Sequence, residues 1–248
     1  MNRLLFILTA ITMSFSQFTA VKTDQQPTID GLVDDAWDSA LKFDSFRQRW
    51  PNLHAEPTVK STVYLMYDET NIYIAGKYYQ KQSTVKGTRY RRDVTDLWND
   101  DWFQFNVDPF NTGVSGFYLG LNPANALIDG KVGPYGQEDE SWDGIIITKT
   151  QIHDDHWSFE IQIPMNTLDF QNEDIQTWGM TFGRNYSANQ EQIWTHEIPK
   201  DNHLLMTSYL KIHEFENLHK GEPFKGTPYM YYENQQDGLA DNTYMEYL

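Results

Sequence analysis

The fold class is indicated most clearly by residues 157–163, Trp157-Ser158-Phe159-Glu160-Ile161-Gln162-Ile163. Apolar and polar residues alternate along it, which is the pattern of a strand with one face in a hydrophobic core. A second apolar run, residues 145–150, lies on the other side of the polar turn Asp154-Asp155-His156. Two such runs around a polar break are typical of an antiparallel hairpin. We therefore expect the four apolar side chains of the first stretch to face the core.

The same two-residue period recurs along the chain and predicts further strands over residues 61–66, 72–78, 101–107, 116–121, 178–183 and 208–212. No sustained helical repeat separates them, which favours an antiparallel sandwich over a parallel α/β sheet. Within residues 34–41, Trp37 and Leu41 lie four positions apart and predict a short helix. The predicted fold is all-β: one antiparallel β-sandwich over residues 21–218, with short peripheral helices.

Composition excludes several classes of function. The chain has 248 residues, of which 40% are apolar, so it can bury a sizeable core. Thirty-five acidic against 19 basic side chains give a net charge of −16, and such a surface repels nucleic acid. Because the chain has no cysteine, disulfides, thiolate metal sites and cysteine nucleophiles are excluded.

The N-terminus has the pattern of a secretory signal. Met1-Asn2-Arg3 leads into an apolar run over residues 4–13, and the small residues Ser14 and Ser16 follow. The run is shorter than the ~20 residues that a membrane-spanning helix needs. We predict a signal peptide over residues 1–16, with cleavage as late as residue 20 as the alternative. The protein is then exported, and is periplasmic, associated with the outer membrane, or secreted.

Several landmarks follow one another in a fixed order. The first three are Ile29-Asp30-Gly31-Leu32-Val33-Asp34-Asp35-Ala36-Trp37, Tyr67-Asp68-Glu69-Thr70-Asn71-Ile72-Tyr73-Ile74 and Asn99-Asp100-Asp101-Trp102-Phe103-Gln104-Phe105. The later ones are Ser141-Trp142-Asp143, residues 157–164 with Leu168, and residues 178–184 followed by Glu191 and Trp194. The first set resembles the family 9 carbohydrate-binding modules. The full set, over about residues 28–199, resembles the carbohydrate-binding-type domain at the N-terminus of a family of outer-membrane β-barrel proteins.

This resemblance implies a β-sandwich, a polysaccharide or oligosaccharide as partner, and association with an outer-membrane barrel. The smallest barrels need ~8 strands of ~10 residues, whereas the tail over residues 219–248 has material for one strand at most. Two interpretations stay open: the sequence is a fragment that stops at the start of a barrel, or it is a relative without one.

Carbohydrate sites combine an exposed aromatic ring with planar polar side chains, so tryptophans in polar surroundings are the candidates for this role. Trp142 and Trp98 stand outside the core alternation and are the first candidates. Trp194 and Trp50 come next. By contrast, Trp157, Trp178 and Trp37 are expected to be core residues, because they fit apolar patterns.

Four polar side chains complete the predicted carbohydrate-binding set. Arg92 offers a guanidinium fork for sugar hydroxyls or a uronate carboxylate, the alternative being a salt bridge to Asp93 or Asp101. Asn122 and Asp129 stand at a strand end and a turn, where turn chemistry alone would also explain them. Asp101 lies in the acidic segment between two tryptophans.

Clustered acids also suggest structural calcium, which prefers several oxygen ligands. The candidate ligands are Asp30, Asp34, Asp35 and Asp100. No segment has the spacing of an EF-hand loop, and solvated surface charge is the alternative. No other cofactor is indicated.

Catalysis has little support in the sequence. Glu160 is the most suggestive acid, yet no second acid is tied to it by spacing, and no Ser/His/Asp, zinc or phosphate-loop motif occurs. We predict an exported, non-catalytic carbohydrate-binding domain linked to polysaccharide binding or breakdown at the cell envelope. The alternatives are a periplasmic interaction domain without sugar binding and a domain of a glycoside hydrolase acting on O-glycosyl bonds. The identity of the sugar stays open.

Overall fold

The computed structural model describes residues 18–199 and 205–220, so the predicted signal peptide and almost all of the predicted tail lie outside the described residues. The strands are β1 Phe18–Thr19, β2 Leu41–Phe43, β3 Arg47–Trp50, β4 Ser61–Tyr67, β5 Asn71–Tyr79, β6 Trp102–Asp108, β7 Gly116–Leu121, β8 Leu127–Val132, β9 Glu138–Asp139, β10 Ile147–Ile152, β11 His156–Pro164, β12 Ile175–Tyr186, β13 Glu191–Trp194 and β14 Leu210–Glu216. Short 3-10 turns cover Asp35–Trp37, Gln82–Thr84, Thr95–Asn99, Pro134–Gly136, Met165–Thr167, Ser187–Asn189 and Met206–Ser208. No helix in these residues has the length and apolar character needed to cross a membrane.

The strands form two sheets. The larger has the order β1-β14-β12-β6-β7-β8-β9, and β13 and β3 extend it beside the C-terminal half of β12. The smaller has the order β10-β11-β5-β4-β2. Neighbouring named strands are antiparallel except for β1, which runs parallel to β14. The predicted antiparallel β-sandwich is confirmed, although its peripheral helices are only 3-10 turns.

The core lies between the two sheets and is largely aromatic. The four apolar side chains of β11 are all buried in it, as the alternation predicts. Phe159 from the smaller sheet meets Phe103 from the larger sheet with ring centroids 4.2 Å apart. Phe159 lies directly opposite Gly76 on β5, where a Cβ atom would come within 2.3 Å of its ring. A glycine is therefore required at that position.

Two local predictions differ from the structure. The predicted helix over residues 34–41 is wrong: only Asp35–Trp37 form a 3-10 turn, and Leu41 already begins β2. The indole N–H of Trp37 donates to the Glu160 carboxylate at 2.8 Å, so the tryptophan is fixed by a long-range contact rather than by a helix. The sheet also begins before residue 21, because β1 pairs with β14. The short strands β2, β3, β8, β9 and β13 had no clear alternation to reveal them.

Candidate functional site

A groove of about 740 Å³ opens where β3, β13 and β12 lie side by side. The 3-10 turns at Gln82–Thr84 and Ser187–Asn189 contribute to its walls. Its lining is almost entirely neutral and polar apart from one tryptophan and one lysine: Trp50, Ser83, Thr84, Lys86, Asn99, Asn185, Ser187, Ala188, Gln190 and Gln192. We refer to this feature as the Trp50 groove.

One cross-strand row forms the centre of the groove. Trp50 on β3 pairs with Gln192 on β13, and Gln192 pairs with Asn185 on β12. Residues opposite one another on antiparallel strands have Cβ atoms about 4.5–5.5 Å apart, so these three side chains are neighbours on one face. Trp50 is 49% exposed, which is unusual for so large an apolar side chain. The row therefore presents an open aromatic ring next to two amides.

The amides of this row keep unused hydrogen-bonding capacity. The Oε1 atom of Gln192 accepts from Arg49 Nη1 at 2.9 Å, and the Nδ2 atom of Asn185 donates to the carbonyl of Asp100 at 2.7 Å. Within the described chain, the other amide atom of each side chain makes no hydrogen bond. An amide has donors and an acceptor, so both residues are able to bind a ligand hydroxyl.

Asp101 supports both walls of the groove from below. This fully buried carboxylate accepts from Gln80 Nε2 at 2.7 Å and from the backbone N–H of Lys86 at 2.9 Å. Its other oxygen accepts from the backbone N–H and the hydroxyl of Ser187, each at 2.7 Å. A buried charge needs such partners. Asp101, predicted to bind sugar, instead fixes the two loops that border the groove.

Arg184 continues this support into the sandwich. Its guanidinium is fully buried and donates to the carbonyls of Lys60 and Tyr79 at 2.8 and 3.1 Å, and to Gln80 Oε1 at 2.6 Å. Burial lowers the pKa of Arg184 to about 10, so the side chain remains a cation at neutral pH. Gln80 links this cation to Asp101, and the buried charges of opposite sign lie close together.

Asp100 and Asn122 also have structural partners. Asp100 accepts from the backbone N–H of Thr88 at 2.6 Å and from Asn122 Nδ2 at 3.0 Å. The Oδ1 atom of Asn122 accepts the backbone N–H groups of Ala124 and Ala126 at 3.0 and 2.9 Å. Both buried side chains therefore hold the β7–β8 turn and the loop before β6, and only for Asn122 does this agree with the turn-chemistry alternative.

The predicted residues Arg92, Asp129 and Trp142 come together elsewhere, beside β8 and near the β9 edge of the larger sheet. Arg92 holds the buried Asp129 with two hydrogen bonds, at 2.9 and 2.8 Å, and donates to the carbonyl of Gly144 at 2.8 Å. Trp142 is half-buried and packs on Phe117, with ring centroids 4.8 Å apart. We refer to this cluster as the Arg92 edge. Arg92 is thus held by acids, but its main partner is Asp129 rather than Asp93 or Asp101.

Three acids of the Arg92 edge are close enough to suggest a metal site. Carboxylate oxygens of Asp93, Asp129 and Asp143 lie within 4.8 Å of one another. The Arg92 guanidinium, however, is 3.7, 2.6 and 3.2 Å from these three carboxylates in turn. Burial raises the pKa of Asp129, and Arg92 opposes that shift. The arginine thus supplies the positive charge that a metal ion would bring.

The predicted calcium ligands are not gathered into one site in the described part of the chain. Asp30 Oδ1 accepts from the backbone N–H of Leu32 at 2.8 Å, and Asp34 caps the first 3-10 turn through the backbone N–H of Ala36 at 3.0 Å. Asp35 is exposed. Asp100 is engaged beneath the groove, as described above. The geometry therefore favours local structural roles for these acids.

The two remaining candidate tryptophans lie on the face of the larger sheet that bears the groove, but they do not line it. Trp98 is half-buried, stands over Gly120 and meets Trp102 edge-on at 5.5 Å. Trp194 is buried over Gly183. A glycine beneath each indole allows this close approach, since a Cβ atom there would collide with the ring.

Glu160, the acid that best suggested catalysis, is a structural residue. It is buried and accepts from the backbone N–H groups of Asp30 and Gly31 at 2.8 and 2.7 Å. Its second oxygen accepts from Trp37, as noted above. Burial raises the pKa of Glu160, although these hydrogen bonds oppose the shift. The carboxylate joins the first landmark loop to β11.

Comparison with known proteins bears on the fold alone. No model of a protein family matches the chain, and no curated protein does. A family 9 carbohydrate-binding module from Caldicellulosiruptor kristjanssonii, solved with cellotriose, superposes with a TM-score of 0.56 at 16% identity, over 86% of this chain and 100% of that one. Its complex with glucose gives a TM-score of 0.56 at 16% identity, over 85% and 98%.

A Bacteroides uniformis protein to which carbohydrate binding is provisionally ascribed superposes with a TM-score of 0.61 at 11% identity, covering 79% of this chain and 98% of that one. All three likenesses extend over nearly the whole of the known structure, so they concern a complete sandwich rather than a shared hairpin. At these identities they establish architecture and leave the ligand open. The chain has the fold of the family 9 carbohydrate-binding modules.

Proposed function

We propose that this chain is a non-catalytic carbohydrate-binding domain and that the Trp50 groove holds its glycan. The observation that carries the proposal is the row of Trp50, Gln192 and Asn185, an exposed ring beside two incompletely bonded amides. A sugar ring offers a C–H face that stacks on an aromatic plane and hydroxyls that pair with amides. The cellotriose and glucose held by the similar modules support the same ligand class.

The lining of the groove argues against hydrolysis there. Glycoside hydrolysis needs two carboxyl groups, either ~5.5 Å or ~6.5–9.5 Å apart. None of the described residues that line the groove is acidic. The buried Asp101 beneath the groove accepts four hydrogen bonds, from Gln80, Lys86 and Ser187, so both of its oxygens are engaged within the protein.

For the cellular setting, we propose export and a role in polysaccharide binding or breakdown at the envelope, in association with the outer membrane. The N-terminal signal pattern supports export. Phe18 and Thr19 pair with β14, and Phe18 packs on Phe43 with centroids 5.3 Å apart. Cleavage after residue 20 would remove this strand, which supports the earlier cleavage site at residue 16.

Glycan binding is tested in two steps. Affinity electrophoresis in gels containing a broad panel of plant, algal and microbial polysaccharides finds the ligand class. The tightest ligand is then titrated calorimetrically against the wild type, Trp50→Ala and Trp50→Phe. Loss of the ring should weaken binding about 5- to 150-fold, equivalent to ~1–3 kcal/mol, and phenylalanine should restore part of it. The free energy of unfolding should fall by about 1 kcal/mol or less, because about half of the side chain is exposed.

Two results would contradict the proposal. If no polysaccharide in the panel retards the protein, the interaction domain without sugar binding becomes the better interpretation. If a glycan binds and Trp50→Ala keeps full affinity, the site lies elsewhere on the sandwich.

A further inference from the structure

One segment of this acidic protein is enriched in basic residues and free of acidic ones. Residues 71–92 contain no aspartate or glutamate, although the chain has 35 of them. The same segment contains six of the 19 basic residues: Lys77, Lys81, Lys86, Arg89, Arg91 and Arg92. Four of the six fall within residues 86–92, so the net charge of −16 is not spread evenly.

The basic loop, residues 86–92, starts in the Trp50 groove and leads away from it. Lys86 lines the groove, with a side chain that is 55% exposed. Thr88, two residues on, is tied to Asp100 and to Asn122 at the end of β7, and Arg92 reaches Asp129 on β8. The backbone between them crosses the end of the larger sheet. Arg89 and Arg91 follow Lys86 on this segment and are exposed, and we refer to these three residues and Arg92 as the basic rim.

The cations of this rim differ in how far they are already neutralised. Arg92 is taken up by Asp129 and Asp143. Lys86 donates to the carbonyl of Asn99 at 2.6 Å and lies 3.7 Å from Asp100, whose oxygens also serve other donors. Arg89 and Arg91 are exposed, and neither makes a hydrogen bond or an ion pair with any described residue. Two guanidinium groups are thus available to an anion.

We infer that the glycan of the Trp50 groove is acidic, and that its carboxylates lie against Lys86, Arg89 and Arg91. The inference rests on the proposed function, because it extends the same site. A guanidinium fork matches a carboxylate with two parallel hydrogen bonds. Only five residues separate Lys86 from Arg91, so their Cα atoms are at most about 17 Å apart and one oligosaccharide is long enough to reach all three cations. The groove adds no acid that would repel a uronate.

An anionic membrane surface offers the same charges without sugar rings. The glycan is favoured because Lys86 belongs both to the rim and to a groove that holds an exposed tryptophan and two incompletely bonded amides. A flat layer of lipid headgroups would not enter the groove to hydrogen-bond with those amides. Vesicles containing anionic lipid are therefore a separate arm of the test.

The experiment compares glycans that differ only in charge. Oligogalacturonate is titrated beside its methyl ester, and carboxymethylcellulose beside hydroxyethylcellulose. The proteins are the wild type, Trp50→Ala, the double variant Arg89→Gln/Arg91→Gln, and Lys149→Gln as a control on exposed β10 of the other sheet. We expect at least one acidic probe to bind about 3- to 30-fold more tightly than its neutral partner at low salt. That advantage should shrink in 0.5 M salt and in the double variant, and persist in Lys149→Gln.

The outcomes separate the two proposals. Equal binding of the neutral and acidic members of both pairs would overturn the preference for acidic glycans and keep the carbohydrate site. Acidic binding that ignores Trp50→Ala, or equally tight binding to vesicles that contain anionic lipid, would also overturn it, because the basic loop would then act apart from the groove. If neither these probes nor the wider panel bind, the proposed function itself fails.

Discussion

The Trp50 groove and the Arg92 edge lie on the same sheet and have similar ingredients, yet the structure uses them differently. Each has a tryptophan beside polar side chains. At the groove, the ring of Trp50 is open and the amides of Gln192 and Asn185 keep free atoms. At the Arg92 edge, Trp142 packs on Phe117, and the Arg92 guanidinium is hydrogen-bonded to Asp129. A polar tryptophan segment is able to bind a ligand only where its polar atoms lack internal partners.

Charge separates the two regions as well. The Arg92 edge brings three carboxylates around one guanidinium, and burial raises the pKa values of Asp93 and Asp129. The groove is lined by described residues with no carboxylate and one ammonium, that of Lys86. The edge is therefore a self-contained ion cluster whose contribution is to stability, and the groove is the region with unsatisfied binding capacity.

The largest expected effect is on the stability of the Arg92 edge. Asp129→Ala removes a buried carboxylate that holds Arg92 and the backbone N–H of Gly144. Breaking a buried pair typically costs 3–5 kcal/mol, and we expect about 2–4 kcal/mol because the Arg92 side chain is 36% exposed and regains water. Urea unfolding measures the loss. Asp143→Ala, at a carboxylate 68% exposed, is the matched control and should cost less than ~0.5 kcal/mol. A stable Asp129→Ala protein that no longer binds glycan would move the site to this edge.

A smaller loss of stability should follow from Trp142→Ala. The half-buried indole packs on Phe117 and lies 6.0 Å from Lys131 Nζ, so its removal should cost about 1.5–3 kcal/mol. Glycan affinity should stay within about twofold of wild type, because Trp142 does not line the groove. Thermal melts and glycan titrations on the same sample test both parts. The reverse result, an unchanged melting temperature with weakened glycan binding, would mean that the sugar stacks on Trp142 and that the Arg92 edge is the binding site.

The sequence was sufficient for the fold because alternation is a local signal with a global consequence. In β11 each apolar residue faces the core, and the same holds for Phe103 and Phe105 in β6. The helix near Trp37 was predicted wrongly because two apolar residues four positions apart do not reveal a distant partner. Glu160, 123 residues away, fixes that tryptophan.

The site was harder to predict, since local context does not tell which polar atoms find internal partners. Asp101 and Asn122 occur in the polar segments that suggested a site, but their oxygens are used by backbone N–H groups that the fold brings to them. Strand register joins Trp50 to Gln192 and Asn185, which lie more than 130 positions further along the chain. The one local signal was Trp50 itself, a tryptophan followed by Pro51-Asn52 at the end of a polar run.

The amide row of the groove should show a moderate effect. Gln192→Ala removes one hydrogen-bonding group opposite Trp50, which we expect to weaken glycan binding about 2- to 12-fold, equivalent to ~0.5–1.5 kcal/mol. Calorimetric titration measures the change. Gln25→Ala, at an exposed glutamine outside the groove, is the control and should bind as the wild type does. Full affinity in Gln192→Ala would mean that stacking on Trp50 acts without this amide.

The smallest expected effect is that of pH on affinity, and it distinguishes the two regions without any substitution. The described residues lining the groove include no carboxylate and no histidine, so between pH 5 and 8 the affinity for the tightest glycan should change less than about twofold.

At the Arg92 edge the outcome would differ, because the pKa values of Asp93 and Asp129 are raised above the ordinary 3.8 and these groups take up protons sooner as the pH falls. The folded protein then binds more protons than the unfolded chain in the window between 3.8 and the raised values. Their contribution to the free energy of unfolding therefore grows as the pH falls through that window and is lost as the pH rises through it. Glycan titrations and urea unfolding at the same pH values separate binding from stability. The glycan would be placed at the Arg92 edge by two results together. The affinity would decline as these two aspartates take up protons, and it would become independent of pH in Asp129→Asn.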